Sequence, residues 1–329
     1  MKRIARVLAL AGLVLAAALY AHENVGRIVG VVMAAAPGLA LAGSLHVAPM
    51  LANAAAWQRL FPVRLRPPLR ALARAVWIRE SVNGVLPVAR IGGEIAAYRI
   101  LRHHVRSRAA AGASLAADMA LSVVSQSVFA SLGLCILLSA GDASGLATPL
   151  LAGVGGMVVF GSGFVYFQRA GAVARITAFI ERRFAGRLRA AIHQWLRLDR
   201  ALRAVYERPA DVAACIALQL AAWVLAAGEI WLALYFLGHP RPLQDAIAIE
   251  ALVQAVSSAA FIVPGALGIQ EGAFVVIGAA LGLDATTSLA LASARRLRDL
   301  IIYLPGLIAW HRAETIGVRA NCSKSVSEV

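Results

Sequence analysis

The sequence predicts an all-α polytopic membrane protein, with six spanning helices plus two opposed re-entrant helical hairpins in an inverted-topology repeat. Three observations predict it. Hydrophobic residues make up 60% of the 329, above the roughly half-apolar composition of soluble domains, and mean hydropathy is +0.74. Two apolar stretches are broken at their centres by one short pattern, Pro87 to Glu94 reading PVARIGGE and Pro264 to Glu271 reading PGALGIQE. Arginines gather in alternate connections between the apolar runs, the asymmetry that orients membrane proteins.

A crossing helix needs about 20 apolar residues, and such runs lie near 4–21, 27–56, 113–138, 146–167, 210–237 and 285–311. The first run has a signal peptide as its rival reading, because a basic start, an apolar core and small residues near Ala21 fit one. Leu19 fits the small-residue rule at the minus-three position poorly, and cleavage would leave the later topology unchanged. The stretches 69–101 and 246–283 carry the Pro/Gly breaks, so each reads as a hairpin that dips in and returns. Between the fourth and fifth runs, Ile176, Ile180, Phe184, Leu188, Ile192, Trp195, Leu196, Leu198 and Leu202 recur at helical spacing among arginines. Segment 168–209 is either a basic amphipathic helix on the membrane surface or a cytoplasmic helical pair. Contact with anionic headgroups follows from both readings.

Lys2, Arg3 and Arg6 precede the first run, Arg59, Arg64, Arg66, Arg70, Arg74 and Arg79 follow the second, and Arg102, Arg106 and Arg108 precede the third. The largest cluster runs from Arg169 to Arg208, whereas His22–Gly26, Gly141–Ser144 and Gly238–Asp245 are nearly free of positive charge. Both termini are therefore expected in the cytoplasm. Residues 1–140 form the first repeat with hairpin 69–101, residues 145–311 the second with hairpin 246–283, and 312–329 a cytoplasmic tail. Basic loops account for the net charge of +15 without nucleic acid as a partner. Cys135, Cys215 and Cys322 lie far apart with no CxxC or Cys/His ligand spacing, so neither a disulfide framework nor a metal site is expected.

Ionisable groups at membrane depth are costly and face a protein interior or a wet cavity. The candidates are Arg90, Glu94, Asp118, Glu229, Glu250, Glu271, Arg295, Arg296, Arg298 and Asp299. In LASARRLRDLIIYLPGL, three arginines and an aspartate interrupt an apolar segment. A single span there requires some of them to face a cavity, with Asp299 as the neutralising partner. The alternative is a cytoplasmic loop followed by a separate apolar stretch, which would place Arg312 and Arg319 outside. Glu94 and Glu271 each either begin the returning helix, where the dipole stabilises a carboxylate, or balance charge in a site where backbone donors receive an anionic phosphate. No Walker loop, GxSxG elbow or HExxH is present, and the polar tail after His311 is too short for a catalytic domain. No enzyme activity and no cofactor are expected.

With LPVARIGGEIAAYRILRHH, FIVPGALGIQEGAFVVIGAALGL and ASARRLRDLIIYLPGLIAW in view, the chain resembles the lysylphosphatidylglycerol synthase transmembrane-region family, also described as flippase-like. It is most similar to the branch named hopanoid-biosynthesis-associated membrane proteins. The resemblance implies a bacterial inner-membrane protein that handles lipids. Its GGE segment corresponds to Gly92, Gly93 and Glu94, its P-G-x-L-G-x-x-E-G segment to Pro264, Gly265, Gly268, Glu271 and Gly272, and its R-x-x-D helix to Arg296 and Asp299. The aminoacyl-transferase domain attached in some members is missing, which weakens lysylphosphatidylglycerol itself as substrate. The expected function is a lipid translocase or lipid-transport component with hopanoid or a hopanoid-linked lipid as cargo. Arg90, Arg296 and Arg298 would hold the head, while Glu94, Glu271 and Asp299 balance charge. The alternatives are a non-transporting scaffold for lipid-biosynthetic enzymes and a membrane-embedded lipid-head transferase. Candidate partners are membrane lipids (anionic phospholipid or hopanoid-type), lipid-biosynthetic enzymes and a second copy of the chain.

Overall fold

The computed structural model describes residues 2–86, 91–105, 107–139, 145–171, 189–260 and 263–327, whose regular structure is helical throughout. The helices are α1 (Lys2–His22), α2 (Val25–Ala34), α3 (Ala36–Ser44), α4 (Val47–Arg59), α5 (Leu69–Val85), α6 (Gly92–Leu101) and α7 (Arg108–Ser139). They continue as α8 (Ala147–Arg169), α9 (Arg189–Tyr206), α10 (Pro209–Phe236), α11 (Leu243–Ala259), α12 (Ile269–Ala280) and α13 (Ala285–Ser327). Among the described residues, 4 segments are long and apolar enough to cross a bilayer: Ala36–Arg59 (α3 with α4), α7, α8 and α10. The chain is a multi-pass membrane protein. Leu10–His22, Val25–Ala34 and Ile269–Ala280 are shorter apolar helices.

The run 27–56 is not one straight helix. It bends after Ala34, where Pro37 enters the first turn of α3; a proline has no N–H and its ring collides with the preceding turn, so the helix restarts there. A second bend at Leu45 and His46 separates α3 from α4 and brings the His46 side chain to the molecular interior. The charged segment at 295–299 lies inside α13, a single helix of 43 residues with Pro305 within it. The charged segment is therefore helix rather than loop, though α13 is not among the segments long and apolar enough to cross a bilayer, and the helix continues through residues expected as a tail.

Both broken stretches are helix, break, helix. α5 packs on α6 across the first break, and α11 packs on α12 across the second. Pro87, Val88, Ala89 and Arg90 lie outside the described residues, as does 172–188 of the amphipathic segment. The rest of that segment, α9, turns Leu202, Val205 and Tyr206 onto the core formed by α4, α5 and α7 and leaves Trp195 exposed. Its Tyr206 hydroxyl donates to Gln168 Oε1 at 2.6 Å. Burial pushes that hydroxyl up to about 12, against the pull of nearby Arg169.

Small residues set how closely the helices approach, as expected where lipid rather than water surrounds them. A Cβ on Gly133 of α7 would stand 2.5 Å from Ala251 Cβ of α11, so these two helices meet nearly backbone to backbone. The core is accordingly rich in buried alanines, including Ala117, Ala120 and Ala130 on α7 and Ala248 and Ala251 on α11. α8 contributes little to it and displays Val159 and Phe160 outward.

Candidate functional site

A cavity of about 420 Å³ lies where both broken segments converge. Gly84, Leu86 and Glu94 line it from the first, Val263, Gly265 and Ala266 from the second, and Arg295, Arg296, Arg298, Asp299 and Tyr303 from α13. The two segments touch: the Gly84 carbonyl oxygen would be 3.3 Å from a Cβ on Gly265. The second break turns through Gly265 (φ 59), Ala266 (φ 47) and Gly268 (φ 77). Left-handed backbone in three residues of four is what glycine permits and other residues resist.

Glu271 fastens this turn. Its Oε2 accepts from the Gly268 backbone N–H at 2.7 Å, at the start of α12, and its Oε1 accepts from Arg296 Nε at 2.7 Å. Arg296 Nη1 also donates to the Gly265 carbonyl at 2.7 Å. Arg296 thus ties α13 to both ends of the turn, and Glu271 has the helix-start geometry that the sequence offered as one of two readings. Among the described residues, Glu271, Gly268 and Gly272 do not line the cavity, whereas Gly265 and Arg296 do.

On the first broken segment, Arg79 of α5 reaches Asp118 Oδ2 of α7 at 2.6 Å and lies 3.8 Å from Glu94 Oε2. Gln219 of α10 donates to Asp118 Oδ1 at 3.2 Å and to Ser122 Oγ at 3.1 Å, and the Arg79 guanidinium lies over the Trp57 ring at 5.4 Å. The Gly93 N–H donates to Asn83 Oδ1 at 2.9 Å, and a Cβ on Gly93 would overlap the Arg79 carbonyl oxygen. Gly93 therefore lets α6 lie against α5, and neither it nor Gly92 lines the cavity among the described residues. Arg79 corrects one sequence reading. Grouped there with the loop arginines, its side chain is 12% exposed and ion-paired between helices. The missed signal was its place beside Glu80 within the very stretch marked as a hairpin.

On α13, Arg295 donates to both oxygens of Glu250, at 2.6 and 3.0 Å. Arg298 holds Glu229 Oε2 at 2.6 Å and Asp299 Oδ1 at 2.7 Å. Asp299 was expected to neutralise the cluster; it serves Arg298, while Arg295 and Arg296 take carboxylates from other helices. Buried ion pairs of this kind need good geometry to offset desolvation; Arg295 has it in its two bonds to Glu250, whereas Arg296 Nη2 and Arg298 Nε are buried without a hydrogen-bond partner. His46, Arg79, Glu80 and Tyr303 also line the cavity and were not singled out from the sequence. For His46, a histidine within an apolar run is a signal that was there to be used.

The lining also carries neutral polar groups. Ser122 and Gln126 of α7, Gln219 of α10, and Gln254 and Ser257 of α11 face the cavity, with Gln126 donating to the Gln254 carbonyl at 3.2 Å and to Ser258 Oγ at 2.7 Å. The lining therefore offers charged, amide and hydroxyl groups to a polar ligand, beside apolar residues such as Met50, Met119, Val123 and Trp223. The cavity sits within helices whose outer faces expose Val159, Phe160, Ile301 and Ile308.

Neither the curated proteins nor the solved structures compared with this chain contain a match. A family model does match, that of the lysylphosphatidylglycerol synthase TM region, over residues 3–306. That match covers α1 through the charged helix and includes both broken segments, so the chain belongs to the lysylphosphatidylglycerol synthase TM region family.

Proposed function

We propose that the protein is a lipid translocase, or the membrane component of a lipid-transport system, in the bacterial inner membrane. One observation carries this reading: two helix breaks far apart in sequence meet at a polar cavity inside an apolar helical body. Broken helices at matching places in two halves are where transporters hold a substrate near the bilayer midplane. Membership of the family supports membrane lipid as that substrate. We take the two halves as an inverted repeat with both termini cytoplasmic, the orientation that the arginine-rich connections favour.

In this scheme the headgroup enters the cavity while the apolar tail stays in lipid. Arg298 faces an anionic group, Glu94 and Asp299 balance it, and the amide and hydroxyl groups satisfy what remains polar. Arg296 and Glu271 hold the second turn in place. Arg90, proposed from the sequence to hold the head, lies outside the described residues. Hopanoid or a hopanoid-linked lipid is the proposed cargo, through the branch that the motifs most resemble. Moving a lipid breaks no bond, and no chemistry on the lipid is proposed.

The test is transfer of labelled hopanoid derivatives and anionic phospholipids between leaflets of proteoliposomes. Wild type should accelerate it. Ser122→Trp, which fills part of the cavity, should slow transfer at least about tenfold, equivalent to roughly 1.4 kcal/mol on the barrier, while the protein remains folded by circular dichroism. Absence of transfer for every lipid with folded wild type would overturn the translocase reading in favour of a scaffold.

A further inference from the structure

His46 Nδ1 stands between two groups that make opposite demands on it. Arg298 Nη1, which can only donate, lies within hydrogen-bond distance of that nitrogen. Glu229 Oε2, which as a carboxylate can only accept, is 3.1 Å from it. A neutral Nδ1 lone pair accepts from Arg298, and Glu229 is then served by Arg298, 2.6 Å away. An Nδ1–H donates to Glu229 both in the charged ring and in the other neutral tautomer, but only the charged ring, whose Nε2–H is then also a donor, repels the guanidinium. The charge that one added proton puts on the ring decides whether Arg298 stays beside it.

The surroundings give that proton a path and a consequence. His46 lines the cavity, and its Nε2 is 3.2 Å from the Tyr303 hydroxyl and 3.8 Å from Glu80 Oε2. The Glu80 oxygen is buried without a hydrogen-bond partner, a costly state for an ionised carboxylate that proton exchange with the ring relieves. Arg298 also lines the cavity, its side chain is 7% exposed, and its buried Nε has no hydrogen-bond partner.

The charged and titratable groups facing His46 come from three elements: Glu80 from α5, Glu229 from α10, and Arg298, Asp299 and Tyr303 from α13. Arg295 and Glu250 hold each other nearby. α7, packed on the far end of α4, brings Asp118, which Arg79 engages.

The geometry points to His46 as a proton-binding site that controls Arg298. When His46 charges, it takes over Glu229, and Arg298 turns to an anionic group in the cavity; when His46 discharges, Arg298 returns to Glu229 and the anion leaves. Proton uptake and anion binding are thereby linked, which would let a proton gradient drive the cargo. That last step rests on the translocase reading, whereas the linkage itself does not.

The experiment measures sulfate binding by calorimetry on the full chain in detergent across a pH series, since sulfate keeps its charge over the range used. Binding that takes up one proton weakens by about tenfold per pH unit on the alkaline side of the His46 titration. Wild type should show that slope, and His46→Gln, which keeps the uncharged arrangement, should bind no more tightly than wild type at the alkaline end and with no pH dependence. A flat profile in wild type, a pH-dependent slope retained in His46→Gln, or no sulfate binding by wild type at any pH would overturn the proposal. Should His46→Gln fail to fold, ring-nitrogen NMR of wild type decides. Sulfate must raise the pH at which one histidine titrates, because linkage is reciprocal; no movement overturns the switch. Neither readout uses lipid transfer, so a failed transfer assay with intact linkage removes only the translocase reading.

Discussion

Arg295→Met is expected to destabilise the protein by about 3–5 kcal/mol, the cost of stranding a buried charge without its partner. Glu250, whose side chain is 2% exposed, has both oxygens bound to Arg295. Arg298, the neighbouring arginine of α13 that also feels Glu250, is already engaged by Glu229 and Asp299. The decisive comparison is with the double variant Arg295→Met/Glu250→Leu. Replacing a whole buried pair with apolar residues of similar volume is often neutral or stabilising, so the double variant should recover most of what the single one lost. Unfolding in mixed micelles, followed as the fraction of denaturing detergent rises, measures both. Equal losses in the single and double variants would show that the pair is not the isolated interaction drawn here.

The second large effect concerns the turn at the second break. A Cβ on Gly268 would overlap the Gly12 carbonyl oxygen of α1, and a Cβ on Gly12 would overlap the Leu267 carbonyl oxygen. Gly268 also has φ 77. Gly268→Ala should therefore cost about 1–2 kcal/mol for the left-handed backbone and a further ~1–3 kcal/mol for overpacking. Gly272→Ala, four residues on, is the contrast. Its Cβ would meet only Leu19 Cδ1 at 3.9 Å, ordinary contact, so that variant should be neutral or slightly stabilised. Melting temperatures of the two variants in one detergent check this, and a comparable loss for Gly272→Ala would contradict the packing of α1 against the turn.

The parts of the fold that depend on local chemistry were legible in the sequence. Proline and glycine marked both breaks, and helix is interrupted near Pro87 and at Pro264 to Gly268. The continuity of α13 followed from the length of its apolar flanks and the placement of later arginines. Partner choice was not legible. Asp299, one residue from Arg298, looked like the counter-charge for the whole cluster, yet Arg295 reaches Glu250 and Arg296 reaches Glu271 on other helices. Those pairs depend on how α11, α12 and α13 pack, which no spacing within one helix reports. Arg79 was misread because charge clusters were counted by position in the chain, and a helix entering the body carries its arginine inward with it. The bend at Leu45 and His46 had a local signal that went unread, Pro49 in the first turn of α4, which has no N–H for the Leu45 carbonyl; it sets His46 near Glu229 and Arg298.

That both broken segments and α13 enclose one wet cavity in a membrane-embedded body is most directly tested by cysteine labelling. In a background with Cys135, Cys215 and Cys322 replaced by alanine, single cysteines go to the cavity positions Asn53, Gln126 and Gln254. Others go to the outward positions Val159 and Ile301, which are 75% and 65% exposed on apolar faces. A water-soluble, membrane-impermeant maleimide applied to reconstituted protein should label all three cavity positions from at least one aqueous side and leave both outward positions unlabelled. Silent cavity positions, or outward positions that react as readily, would contradict the account.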